Sequence, residues 1–138
     1  MPEWTSFPVP LGKSVWPSVV AAIATTLKSH GVERLEVMHG WTQSALEDHP
    51  DFPTLQWQSE DVVTSSVLGL VQERQEMGMR LGEDDLFLEG EAPVPCQILL
   101  CHEGDLHLKT RDSGLVAALQ AALFPLGVSL IRRSESVA

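Results

Sequence analysis

A chain of 138 residues, 43% hydrophobic and 20% charged, has the length and composition of one globular domain; a disordered chain would carry fewer apolar side chains at this net charge. Nineteen acidic against nine basic side chains give a formal charge of −10, which repels phosphate backbones and anionic lipid and so argues against nucleic acid and membranes as ligands. Met1-Pro2-Glu3-Trp4 lacks the basic run and apolar stretch of a secretory signal, and no segment approaches the ~18 apolar residues of a membrane span. Two cysteines, Cys96 and Cys101, are too few for a disulfide framework and fit a reducing compartment. The expectation is one cytoplasmic α/β (α+β) domain over residues 1–138, with an irregular arm at 1–13 and a flexible tail at 134–138.

In chain order, Pro2, Pro8, Pro10 and Gly12 around Trp4 and Phe7 make the first thirteen residues an irregular arm with its aromatics on the core. Ser14 can cap a first helix, Pro17 suits its first turn, and Trp16, Val19, Val20, Ile23 and Leu27 recur at helical spacing until Gly31 stops it. Val32 to Met38 alternates as a half-buried strand, with Glu33, Leu35 and Val37 opposite Val32, Arg34, Glu36 and Met38. His39 to Pro53 reads as a long loop, and Thr54 to Gln58 as a short strand. Ser59, Glu60 and Asp61 look like the cap and acidic first turn of a second helix running to Met79, with Val63, Val67, Leu70, Val71 and Met77 as its stripe. Leu86 to Glu89 reads as a third strand. Gln97 to Cys101 and Asp105 to Lys109 form a hairpin about a two-residue Glu103-Gly104 loop, because glycine supplies the positive φ such turns need. Asp112 caps a third helix carrying Leu115, Val116, Leu119, Ala122 and Leu123, ended by Pro125 and Gly127. Val128 to Arg132 is a candidate last strand.

Four potential ligands, Cys96, Cys101, His102 and His107, crowd into twelve residues. On strands, residues five apart face opposite ways, so Cys96 and Cys101 cannot chelate one ion, and the two-residue loop sets Cys101 opposite Leu106 and Leu99 opposite Leu108 on an apolar face. No metal and no cofactor are expected. The chain has neither a Gly-x-Ser-x-Gly elbow nor a phosphate-cradling glycine loop. Asp48-His49-Pro50-Asp51 could orient an imidazole for acid–base work, yet adjacent residues in a proline-bounded loop read better as a solvated turn. Glu83-Asp84-Asp85 and Glu89-Glu91 lack the ligand spacing of a calcium loop and read as a charged edge that discourages strand pairing. No catalytic residue emerges. Ser65, Ser66 and Gly69 lie beside the apolar stripe of the second helix, where another helix could approach closely.

This order of elements resembles the Roadblock family of dynein light chains and prokaryotic regulators of small Ras-like GTPases. The likeness spans roughly Val15 to Leu126 and is best at Leu81 to Leu126, in the Leu-Glu-Gly-Glu at Leu88 to Glu91, the turn at Glu103-Gly104 and the helix start at Asp112 to Leu115. It implies the order α-β-β-α-β-β-β-α, a five-stranded antiparallel sheet, and a homodimer through the second helix and third strand, placing Ser65, Ser66, Gly69, Leu86, Phe87 and Leu88 at the interface. It further implies a non-enzymatic scaffold that binds or regulates a small GTPase. The alternative from charge is an acidic inhibitor or immunity-like protein covering a basic partner, with Trp41, Asp48, Asp51 and Phe52 in a partner-binding loop.

Overall fold

The computed structural model describes residues 1–8, 15–40, 59–91 and 93–133. Its elements are β1 (Glu3–Thr5), α1 (Trp16–Ser29), β2 (Arg34–Gly40), β3 (Ser59–Val63), α2 (Val67–Glu76), β4 (Asp85–Gly90), β5 (Cys96–Leu100), β6 (Leu106–Thr110), α3 (Ser113–Leu123) and β7 (Ile131–Arg132), with 3-10 turns at Thr64–Ser66 and Phe124–Leu126. The fold class is mixed α and β: among the described residues, three helices on one seven-stranded sheet of order β3-β2-β4-β5-β6-β1-β7, in which every pairing of named strands is antiparallel.

Period-2 burial makes the sheet two-sided. Leu35 and Val37 of β2, Leu86 and Leu88 of β4, Ile98 and Leu100 of β5, and Leu106 and Leu108 of β6 are all 2% exposed or less. They form the floor on which α1 packs, flanked by α2 and α3. α1 contributes Val19, Val20, Ile23 and Leu27, each fully shielded, as its helical spacing requires. α3 begins where Asp112 Oδ1 accepts the Leu115 backbone N–H at 2.8 Å. After Gly127, the Gln120 side chain binds both backbone groups of Leu130, fastening the last segment to α3 as a strand neighbour would.

Several elements depart from expectation. The arm is not wholly irregular: Glu3–Thr5 is a strand between β6 and β7, and while Trp4 packs on the core, Phe7 is 74% exposed. Ser59 to Val63 is not a helix start but β3, paired with β2 along its whole length. Its Val62-Val63-Thr64 run is β-branched, a side-chain type that fits a pleated surface better than a helix. The two acids that mimicked a helix cap are used by neighbours instead: Glu60 reaches Arg74 of α2 at 2.7 Å, and Asp61 reaches Arg34 of β2 at 3.0 Å. Thr64 is fully buried and ties the turn back to β2's approach, donating its hydroxyl to Val32 O at 2.7 Å and its N–H to Glu33 O at 2.9 Å.

The β5–β6 hairpin is shifted by one residue. Ile98 pairs with Leu108, Leu99 with His107 and Leu100 with Leu106, so Cys101 to Asp105 is the turn, closed by Cys101 N–H to Asp105 O and Gly104 N–H to Cys101 O. Gly104 has φ +86, the left-handed position of a longer hairpin loop. The expected pairings of Cys101 with Leu106 and Leu99 with Leu108 are thereby corrected. Val128 to Arg132 shortens to a two-residue strand, because Val128 and Leu130 turn into the core.

Candidate functional site

The three described helices lie on one side, and the register sorts the side chains of the other sheet face into rows that cross the strands. One row runs Asp61, Glu36, Glu89, Gln97, Lys109, Glu3 from β3 to β1. Its first three members are carboxylates on adjacent strands. Directly opposed like charges destabilise a sheet, and among the described residues Arg34, paired with Asp61, and the Ser59 hydroxyl, donating to Glu36, offset them. The next row runs Ser59, Met38, Phe87, Leu99, His107, Thr5. Met38, Phe87 and Leu99 are half-buried at its centre and line a groove of about 390 Å³ rimmed by Glu36, Glu89 and Lys109. A second hollow of about 750 Å³ continues from Glu36 and Glu89 to Glu33, Asp61 and Glu91. Among the described residues this face is an apolar strip beside an acidic one.

Beyond the apolar row, at the hairpin end, lies a second cluster. Asp85 Oδ1 accepts the His102 backbone N–H at 2.7 Å and stands 2.9 Å from His102 Nδ1. This carboxylate raises the imidazole above its ordinary pKa. His107 lies between Asp105 Oδ2, 2.9 Å from Nε2, and Glu3 Oε1, 3.2 Å from Nδ1. The buried Cys101 thiol sits between the two pairs, within 4.8 Å of ligand atoms of Asp85 and His102 on one side and of Asp105 and His107 on the other. Burial, then Asp105 and Asp85, push this thiol up from its usual pKa, so it is no activated nucleophile. Cys96 is free and buried at the far end of β5. The two cysteines do not share a site.

The residues expected at a dimer interface separate. Ser65, Ser66 and Gly69 are exposed, and a Cβ added at Gly69 would meet no neighbouring atom. Leu86, Phe87 and Leu88 are not at an edge: β4 is paired on both sides, with β2 and β5, and Leu86 and Leu88 are core. The acids read as an edge guard are divided: Glu89 and Glu91 are exposed, and Glu89 stands on β4, which is paired on both sides. Asp84 is fully buried and accepts the Arg80 N–H at 2.9 Å. Trp41, Asp48, Asp51 and Phe52, the Asp48 to Asp51 cluster and the strand at Thr54 to Gln58 lie outside the described residues.

The carboxylate row and the Cys101 cluster were both missed in the sequence. The row requires knowing that β3 is a strand and that β4 neighbours β2; the cluster requires the correct hairpin register. A usable signal existed for the second. Ile98 and Leu100 matched with Leu106 and Leu108 give a fully aliphatic face, and that matching forces a five-residue turn. No family model, curated protein or solved structure matches the chain.

Proposed function

We propose that the chain is a non-catalytic binding module that receives a basic segment of a partner protein on the sheet face opposite its helices. The observation that carries this reading is the row Asp61, Glu36, Glu89, three carboxylates held side by side at a cost to the sheet. A partner's Lys or Arg side chains would relieve that repulsion, while its apolar side chains would enter the strip of Met38, Phe87 and Leu99. The formal charge of −10 would speed the encounter with such a partner.

This reading follows the inhibitor-like alternative more closely than the Roadblock scaffold. A Roadblock-type dimer needs the third strand at an edge, whereas β4 is interior; contact with a small GTPase rests on the order of elements alone. Self-association through the exposed small residues of α2 would require no sheet edge.

The test is affinity capture from the source cell, run in parallel with the wild type and with Glu36→Lys/Glu89→Lys. The reading expects a protein with a basic surface segment, lost from the variant and weakened by added salt. A partner held equally by both forms at all salt concentrations would refute it.

A further inference from the structure

The geometry points to a zinc-type metal site formed by Cys101, Asp105 and His107 at the end of the β5–β6 hairpin, oriented from behind by Glu3 of β1. This goes beyond the proposed binding face and does not depend on it. The ligand atoms of the three residues lie within 4.8 Å of one another. Tetrahedral zinc wants ligands ~3.3–3.9 Å apart, so side-chain adjustments of roughly 1 Å close the set. The turn supplies the arrangement: Cys101 and Asp105 are its two ends, tied by the 2.8 Å Cys101 N–H to Asp105 O bond, and His107 follows on β6.

Two further observations single out this triplet. Asp105 Oδ1 is buried and has no hydrogen-bond partner among the described residues, an acceptor of the kind that a cation satisfies. His107 has the orientation of a metal ligand: Glu3 Oε1 stands at Nδ1, and Nε2 is turned to Asp105. A carboxylate behind the non-ligating nitrogen fixes the tautomer and increases ligand basicity. A thiolate, an imidazole and a carboxylate together select zinc over magnesium or calcium, which prefer all-oxygen sites. The same carboxylates that disfavour a bare thiolate at Cys101 favour a divalent cation. On binding, the thiol releases its proton to solvent and the sulfur takes the metal instead. The Asp85 and His102 pair on the other side of Cys101 offers a rival triplet, but there Asp85 Oδ1 already accepts the His102 backbone N–H and stands against the ring.

The experiment is a titration of the reduced, metal-free full chain with Co²⁺, reading the sulfur-to-cobalt charge-transfer absorption, followed by displacement with Zn²⁺. Saturation at one equivalent is expected. Cys101→Ser should abolish the charge-transfer band; His107→Gln and Asp105→Asn should each weaken binding at least tenfold, Glu3→Gln about tenfold, and His102→Gln should leave it unchanged. Circular dichroism of each metal-free variant establishes that it is folded. Should a variant not fold, differential alkylation of the wild type replaces it, Zn²⁺ being expected to protect Cys101. Absence of the band with cobalt in large excess, its retention in Cys101→Ser, failure of Zn²⁺ to protect Cys101, or loss of binding in His102→Gln but not in His107→Gln would overturn the assignment.

Discussion

His39 gives the domain a defined weakness to acid. It lies on the helix side of β2, opposite Leu86 and 2% exposed. Burial foremost, and then the Arg74 cation, hold its pKa at about 4, against a smaller opposing pull from Asp84. In the unfolded chain the imidazole returns to about 6.5. Because the folded value is the lower one, the neutral ring contributes stability above about pH 6.5, and that contribution is lost as pH falls toward 4, where the unfolded chain takes up a proton the folded one refuses. A displacement from 6.5 to about 4 amounts to about 3 kcal/mol in full, of which about 2 kcal/mol should be gone by about pH 5. Urea denaturation of the wild type and of His39→Leu between about pH 7.5 and 5 measures this, since the carboxylates and other histidines titrate alike in both and cancel in the difference. The wild type should lose about 2 kcal/mol more than the variant over that range. Parallel curves would refute the reasoning, because they would mean that the folded state accommodates the imidazolium.

Other expectations follow from named contacts. Thr64→Val keeps the shape but strands the buried Val32 carbonyl, and should cost about 1–2 kcal/mol in chemical denaturation. Arg74 is 11% exposed and bonded to Glu60, so Arg74→Ala should cost about 2 kcal/mol through lost packing and a stranded carboxylate; NMR titration should also find the His39 pKa raised, the Arg74 charge that lowers it being gone. Glu89→Gln breaks the run of opposed acids at Glu36 and should stabilise by several tenths of a kcal/mol, an increment that shrinks in high salt during thermal melting while partner binding weakens. Gly69→Glu should fold normally, given the open space around Gly69; sedimentation then decides self-association, since a wild-type dimer made monomeric by the change would place α2 at the contact, and a dimer indifferent to it would not.

The sequence was most legible where one period dominated. α1 and α3 follow their apolar repeats, and α3 its Asp112 cap, while the expected cap Ser14 lies outside the described residues. The alternation turns Leu35 and Val37 inward against Arg34, Glu36 and Met38, but fails before the strand begins, where Val32 is buried and Glu33 exposed. It misled where two periods overlap: Val63, Val67 and Val71 fit a helix repeat, yet Val63 belongs to a strand and is 41% exposed, while Val67 and Val71 are helical and buried. Ser59-Glu60-Asp61 carries the acids of a helix start, and only the tertiary partners Arg74 and Arg34 explain them. In the hairpin, taking the shortest loop moved every pairing by one, and in a sheet such a slip exchanges the faces. That single step hid both the apolar strip through Leu99 and the convergence of Cys101, Asp105 and His107. The pairing of β1 with β6 had no local signature, since a three-residue strand among prolines becomes a strand only when a free edge is present to receive it.

That pairing has a consequence for how the protein is made. Glu3 to Thr5 must wait for His107 to Lys109, and at ordinary ribosomal rates of about 5–20 residues per second the wait is roughly five to twenty seconds. Until β6 has been made, β1 has no ladder to join, and β7 adds to β1 only after that. β1 is therefore made well before the strand that receives it, and a chain stalled before residue 106 would carry Trp4 as an unplaced aromatic tag, available to chaperones until the sheet can draw it in.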